Sequence, residues 1–408
     1  MENSNMNKTK VMRKVKDTTL NVLTYLSASI SVIILAAIII FIFVKGSSYF
    51  SFKMIVSDYN ESVYFGECET SSSTTFTLEN KDGIYYSNHF GIGLKDSHDL
   101  EGNDIIEIVY VDSASPLKNM KKQNSDETLS VKKGQAIKRV QIVSEDNNLG
   151  IYTAKIKAEQ MALALDTGYV IQEIYFATIG GGIRGSLIST IYLILLTLII
   201  VLPIGVIAAI YLSNYAKENK LTKIIRTLID MISGIPSIIF GFIGVIIFIP
   251  IVSSITKTPG GSIISGALTM AIMLLPLVIK NTEDAIENIP KGYKMSSLAL
   301  GASETQTTLK IILPNAIPGI LTAVLLSIGR IIGESAALIF AIGTVISDKV
   351  SLGGSSTTLA VHIWSVMSGE NPNYSQACAI SIIIMIVVLI LNILVKLLCK
   401  KFRRYEVK

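Results

Sequence analysis

Long apolar runs, separated by polar segments, dominate the chain: residues 20–44, 186–213, 235–256, 262–279, 317–345 and 374–398. Each approaches or exceeds the roughly 20 residues a helix needs to cross ~30 Å of hydrocarbon. Backbone groups in lipid must be satisfied within the segment, so each run predicts a helix. The pattern predicts an all-α polytopic membrane protein of six transmembrane helices, with Lys257 between the third and fourth. Lys8, Lys10, Arg13, Lys14 and Lys16 precede the first run, as in a signal peptide or a signal anchor. That run exceeds the ~7–15 residues of a cleaved apolar core, and no small-x-small site follows it, so it is expected to stay as a helix. The chain divides into an arm (1–19), a first helix (20–45), a polar region (46–180), a membrane domain (181–400) and a tail (401–408).

The polar region is too long for a connection and is patterned like a domain. "NHFGIGLKD", "DIIEIVYVDSASPL", "SVKKGQAIKRVQIV" and "YVIQEIYFA" read as strands, and "KAEQMALALDTG" as a helix closed by Gly168. "ETSSSTTFTLEN" reads as a strand followed by a loop. The order of these elements over residues 82–177 resembles a PDZ domain, a small mixed α/β fold. The resemblance implies that Phe90, Gly91, Ile92, Gly93 and Leu94 form a loop offering N–H groups to a peptide carboxylate. It also implies that Ala158, Met161, Ala162 and Leu165 line the groove in which the peptide adds as a strand. Another small α/β domain with a Gly-rich hairpin fits the same pattern.

Charge sets the orientation. Charged residues are 16% of the chain and hydrophobic ones 50%, against about 25% charged in soluble domains. The net charge of +5 gathers in the arm, in the loop with Lys217, Lys220, Lys223 and Arg226, and in the tail with Lys396, Lys400, Lys401, Arg403 and Arg404. Basic residues near span ends stay cytoplasmic, so both termini are expected inside and residues 46–185 outside. The same residues suit anionic lipid as a partner, and nothing points to nucleic acid. Cys68, Cys378 and Cys399 form neither a disulfide framework nor a CxxC metal site. Gly180, Gly182 and Gly185 fit GxGxxG, but an apolar span follows and no acid stands ~20 residues on, so they read as a flexible lead-in to the second span. His89, Asp96, His98 and Asp99 are metal-competent types at short spacing, and as loop residues they read as solvated.

The segment 280–316 is longer than a helix connection needs and is amphipathic. Pro290 starts a short helix, Gly301 separates it from a second, and Pro314 ends that one before the next span. Gly301, Ile311, Leu313 and Pro314 stand at the spacing of the coupling loop of ABC importer permeases, which this segment resembles; Met295, Ser296 and Ser297 occupy its EAA positions, without the acid. "GGIRGSLISTIYLILLTLIIVLPIGVIAAIYLSNYA", "ISGIPSIIFGF", "GRIIGESAALI" and "LAVHIW" follow the order of phosphate permeases of the PstA type across residues 180–400. The resemblance implies an ABC importer permease carrying inorganic phosphate. It implies as partners a second permease (PstC type), two ATPase subunits (PstB type) docked on the coupling loop through Ser297 and its neighbours, and a phosphate-binding protein (PstS type). No Walker A sequence is present, so ATP belongs to the partners and no cofactor is expected here. Molybdate, tungstate or sulfate are alternative solutes, and a membrane-anchored peptide sensor is the alternative of another class.

Arg330 lies within an apolar run, where a charge costs about 2.5–3.5 kcal/mol, so it should face the bundle interior with a partner. Glu334, four residues on, is expected one turn away on the same face. The two read either as a structural ion pair or as a switchable oxyanion site. Gly234, Pro236, Ser237 and Gly241 suggest a broken span whose freed N–H groups line the same pathway, or packing by small residues.

Overall fold

In the computed structural model, the chain is described over residues 2–69, 76–99, 103–122, 127–143, 148–168, 170–369 and 372–403. Parts of the Ser/Thr-rich stretch and the tail from 404 lie outside these residues, as does the side chain of Cys399.

Helix α1 (Glu2–Gly46) is continuous through the basic arm, so arm and first span are one element. A short α2 (Phe52–Val56) then leads into a sheet. Its strands are β1 (Val63–Glu69), β2 (Tyr85–Ser87), β3 (Ile92–His98), β4 (Asp104–Val111), β5 (Met120–Lys122), β6 (Thr128–Leu129), β7 (Gln135–Val143) and β8 (Leu149–Thr153); α3 (Ala158–Asp166) and β9 (Val170–Thr178) follow. The bundle comprises α4 (Arg184–Ile210), α5 (Lys220–Ser233), α6 (Ser237–Ile243), α7 (Ile249–Thr256) and α8 (Ile263–Glu287). It continues with α9 (Lys291–Ala299), α10 (Glu304–Thr307), α11 (Leu313–Gly333), α12 (Ala336–Ala341), α13 (Leu359–Met367) and α14 (Tyr374–Arg403).

Among the described residues, six helical segments are long and apolar enough to cross a membrane: Lys16–Gly46, Arg184–Tyr215, Ser237–Thr256, Ile263–Glu287, Glu304–Gly333 and Tyr374–Leu398. The six expected runs are all present, with two changes. Run 317–345 is not one helix, because α11 stops at Gly333 and Glu334 is extended (φ −79°, ψ 121°). Pro314 does not end a helix either. A π-helical turn over Thr308–Ile312 joins α10 to α11, and Pro314 lies just after it within the continuous segment Glu304–Gly333, where the widened turn accommodates its missing N–H.

The bundle core forms around α8. Leu193 and Val201 of α4, Met270, Leu274 and Val278 of α8, and Ile331 of α11 share one buried cluster. Close approach is needed at Gly205 of α4, where a Cβ would stand 2.6 Å from the Val278 side chain. Ser262 and Ser265 form a reciprocal capping box that starts α8.

The polar region is not α-helical in the main. Among the described residues it is a nine-stranded antiparallel sheet in the order β2-β3-β4-β7-β9-β1-β5-β6, with β8 on β7. The four strands and the helix expected between 82 and 177 are all present, and β1 adds to the same sheet from upstream by pairing with β9. Helix α3 packs on β2 and β3. The core beneath it includes Phe90, Ile92, Leu94, Ile137, Met161 and Leu165.

Two chain segments join sheet and bundle, and they run side by side. Gly181 N–H donates to Tyr59 O (2.8 Å), Gly182 N–H to Asp58 O (3.0 Å) and Ile183 N–H to Met54 O (2.9 Å). Arg184 pairs with Asp58. The glycines here are not a flexible lead-in. A Cβ on Gly182 would lie 2.0 Å from Ser57 O, and one on Gly185 2.1 Å from Ser347 O. They are small so that backbones can touch.

The coupling segment is at the other end of the bundle. The sheet side holds the starts of α4 and α8, since Ile264 N–H donates to Leu352 O (3.2 Å) in the loop that meets the sheet stem. The far ends of α4 and α8 meet the start of α11 through Ile210, Ile286 and Ile312.

Candidate functional site

Helix α11 carries Arg330 one turn before its end. Its inward face is Ala316, Ala323, Ser327, Ile328, Ile331 and Ile332, all buried. The opposite face, Thr322, Leu326, Gly329, Arg330 and Gly333, is exposed. A Cβ added at Gly329 or Gly333 would meet nothing within 4 Å. Two glycines, Thr322, Leu326 and one cation form an outer face less apolar than the Ile- and Leu-covered surfaces of α1 and α14.

The expected pairing of Arg330 with Glu334 is not made. Because the helix ends at Gly333, Glu334 is off the face of Arg330. Its Oε1 instead accepts the Ala337 N–H (3.2 Å) and so caps α12. Among the described residues the arginine ion pairs are Arg139–Glu173, Arg184–Asp58 and Arg226–Glu283, and Arg330 has none. Nor does it face the interior of this chain.

A second break lies next to the first. Chain α5–Gly234–Ile235–Pro236–α6 is interrupted, with Pro236 as the N-cap and Ser237 as the first residue of α6, half-buried. Helix α12 packs on α6, where a Cβ on Gly241 would come within 3.0 Å of Ala337. Both broken helices thus meet through α12.

The coupling segment forms as expected up to Pro314. Pro290 N-caps α9, and Gly301 follows it at φ +86°, a left-handed position that favours glycine. Ser303 and Gln306 make a capping box at α10, and Ser297 Oγ meets Thr307 Oγ1 at 2.9 Å, tying the two helices. Tyr293, Ser296, Ser297, Leu300 and Ile311 line a cavity of about 620 Å³. Leu300 is 89% exposed and Met295 67%. Leu313 and Pro314 begin α11 behind this surface. Leu300 and Met295 are thus exposed apolar side chains at this end of the bundle.

The Gly-rich loop of the sheet is sealed rather than open. Phe90, Ile92, Leu94 and Met161 are fully buried, as are Ala158 and Leu165, and together they are core. A Cβ on Gly91 would stand 2.9 Å from the Phe76 ring. Gly93 pairs with Tyr86, so β2 occupies the edge of β3 where a peptide strand would add. The metal-competent side chains nearby serve the fold. Asp96 accepts the Ala158 N–H at the start of α3 (2.7 Å), Asp99 accepts the Asn103 N–H (2.8 Å), and His98 pairs with Asp104 (2.8 Å).

Sequence reasoning missed the junction between sheet and bundle. His362 of α13 is fully buried, with Nδ1 at 2.8 Å from Ser186 Oγ of α4. The Tyr59 ring stands edge-on to it (centroids 5.0 Å apart, interplanar angle 87°). Burial pushes this imidazole down to about 4, against a smaller opposing pull from Asp348. A histidine within the otherwise apolar "LAVHIW" was the available signal. Asp348, in a polar loop, gave none.

Residues 201–404 match the family described as "Binding-protein-dependent transport system inner membrane component". The probable ABC transporter permease protein YqgI of Bacillus subtilis is 38% identical over 46% of this chain and 66% of its own length. The phosphate transport system permease protein PstA of Pasteurella multocida is 30% identical over 53% of this chain and 76% of its own. A PstA homolog of Mycoplasma pneumoniae is 30% identical over 54% of this chain and 37% of its own. The chain therefore spans less than two thirds of the Bacillus and Mycoplasma relatives. The inward-facing MetNI methionine ABC transporter is similar over 54% of this chain and 95% of the solved one, with TM-score 0.42 and 22% identity. The sequence relatives, not this structure, carry the assignment, and they bear out the PstA-type resemblance of the motifs. The chain belongs to the family of binding-protein-dependent transport system inner membrane components, which are parts of transporters rather than enzymes.

Proposed function

We propose that the chain is the permease subunit of an ATP-driven ABC importer of inorganic phosphate, energised by separate ATPase subunits. The observation that carries this reading is the unpaired guanidinium on the open face of α11. A cation within a span is too costly to leave against lipid, so that face belongs against a second permease or a watery pathway. Guanidinium donors suit a tetrahedral oxyanion, and the nearby break at Ser237 offers further polar groups. Relatives named as phosphate permeases at about 30% identity support phosphate among the oxyanions.

The remaining parts follow from position. A PstC-type permease covers the α11 face, one of two PstB-type ATPases docks on α9 and α10, and a PstS-type binding protein delivers the anion on the sheet side. The sheet is extracytoplasmic and both termini are cytoplasmic, in keeping with the basic residues at the coupling end. The sealed Gly-rich loop counts against a peptide sensor.

Vesicles holding the chain with these partners should take up labelled phosphate only with ATP. Unlabelled phosphate should compete far better than sulfate or molybdate. Preferential competition by either would reassign the solute, and failure to move any oxyanion would contradict the reading.

A further inference from the structure

Asp348 ties the stem of the sheet to a loop of the bundle. Asp348 Oδ1 accepts the Tyr59 N–H (2.6 Å), and Oδ2 accepts both the Asn60 N–H (3.0 Å) and Asn60 Nδ2–H (2.9 Å). Asn60 Nδ2 also reaches Ile346 O (3.3 Å). Hydrogen bonds to an ionised carboxylate are among the stronger ones a loop can make. Tyr59 in turn accepts the Gly181 N–H, so both stem segments are held through the same carboxylate.

The loop bearing Asp348 continues backwards into the broken helix. Gly343, at φ +108°, links it to α12. Helix α12 is capped by Glu334, and its end is fixed to α8 by Ser265 Oγ–H donating to Ala341 O (2.7 Å). Close contacts at Gly241 and Gly244 set α12 against the span that begins at Ser237. The chain itself and these contacts thus connect the sheet stem, through Asp348 and α12, to both helix breaks.

We propose that Asp348 is a positioning residue that couples the inserted sheet domain to the broken helices α6 and α11, so that displacement of the domain is transmitted to the break beside Arg330. The proposal rests on the transport reading for its functional meaning, since that reading makes the break part of the pathway. The linkage itself needs no transported solute. Tyr59 against His362 and the bare backbone of Gly185 against Ser347 keep the joint compact, so movement of the stem must move the loop.

Hydrogen exchange on the intact chain in lipid nanodiscs tests this. Asp348→Ala should speed exchange at residues 57–61 by at least about tenfold, and at 334–342 by a few-fold in the same sample, with β7 still protected. Asp348→Asn, which keeps one acceptor oxygen, should give an intermediate effect at both places. Opening at 57–61 with unchanged exchange at 334–342 would overturn the coupling, and unchanged exchange at 57–61 would overturn the role of Asp348. Neither result depends on whether phosphate is carried, so failure here is separable from failure of the transport reading.

Discussion

The sheet domain and the bundle each offered a set of candidate binding residues, and the structure treats them oppositely. In the sheet, Phe90, Ile92, Leu94 and Met161 are sealed under α3 and make the domain's own core. In the bundle, Arg330 and its neighbours face outward with nothing of this chain over them. A soluble-type domain of this size can bury its apolar side chains by itself, so its Gly-rich loop was needed for packing. In the proposed importer, a partner or the pathway completes the uncovered face of α11.

This contrast gives predictions in order of size. Phe90→Ala should destabilise the sheet domain by about 3–5 kcal/mol, read as faster thiol labelling of the buried Cys68. Equal labelling in variant and parent would break the claim that the loop is core. At the junction, His362 is neutral when folded, with its imidazole lowered to about 4 from 6.5. As pH falls through 6.5 the unfolded chain takes up the proton first, so stability present above pH 6.5 is lost progressively towards pH 4, by up to about 3 kcal/mol. Urea unfolding across this range should show the slope, and His362→Gln should flatten it. Gly182→Ala forces a Cβ against Ser57 O and should cost about 1–3 kcal/mol, seen as a lower unfolding temperature. Leu300→Ala, on the open coupling face, should change stability by no more than about 0.5 kcal/mol. It should nevertheless weaken copurification of the ATPase, and unchanged capture would remove Leu300 from the docking face.

Much of this arrangement was legible in the residues. Six apolar runs gave six helices because lipid leaves the backbone no other solution. β-Branched and aromatic enrichment gave β3, β4, β7 and β9, and Gly301 gave the turn between α9 and α10. What was not legible depended on contacts between distant segments. Arg330 and Glu334 are spaced for one helical face, yet Gly333 ends the helix between them, and an apolar run on either side conceals the break. Gly180, Gly182 and Gly185 look like a hinge in sequence, and only the backbone of residues 57–61 and 346–348 shows why they must be small. The buried loop at Phe90–Leu94 likewise depends on β2 and Phe76, which the motif does not include.

The central claim is that the open face of α11 lines the transport pathway between this chain and the second permease. ATP-dependent phosphate uptake by vesicles containing Arg330→Ala, with its partner subunits, tests it most directly. Losing the guanidinium's hydrogen bonds should reduce uptake by about 10- to 100-fold. Copurification of the second permease and the ATPase should remain normal. Uptake equal to the parent's, with the complex intact, would contradict the account.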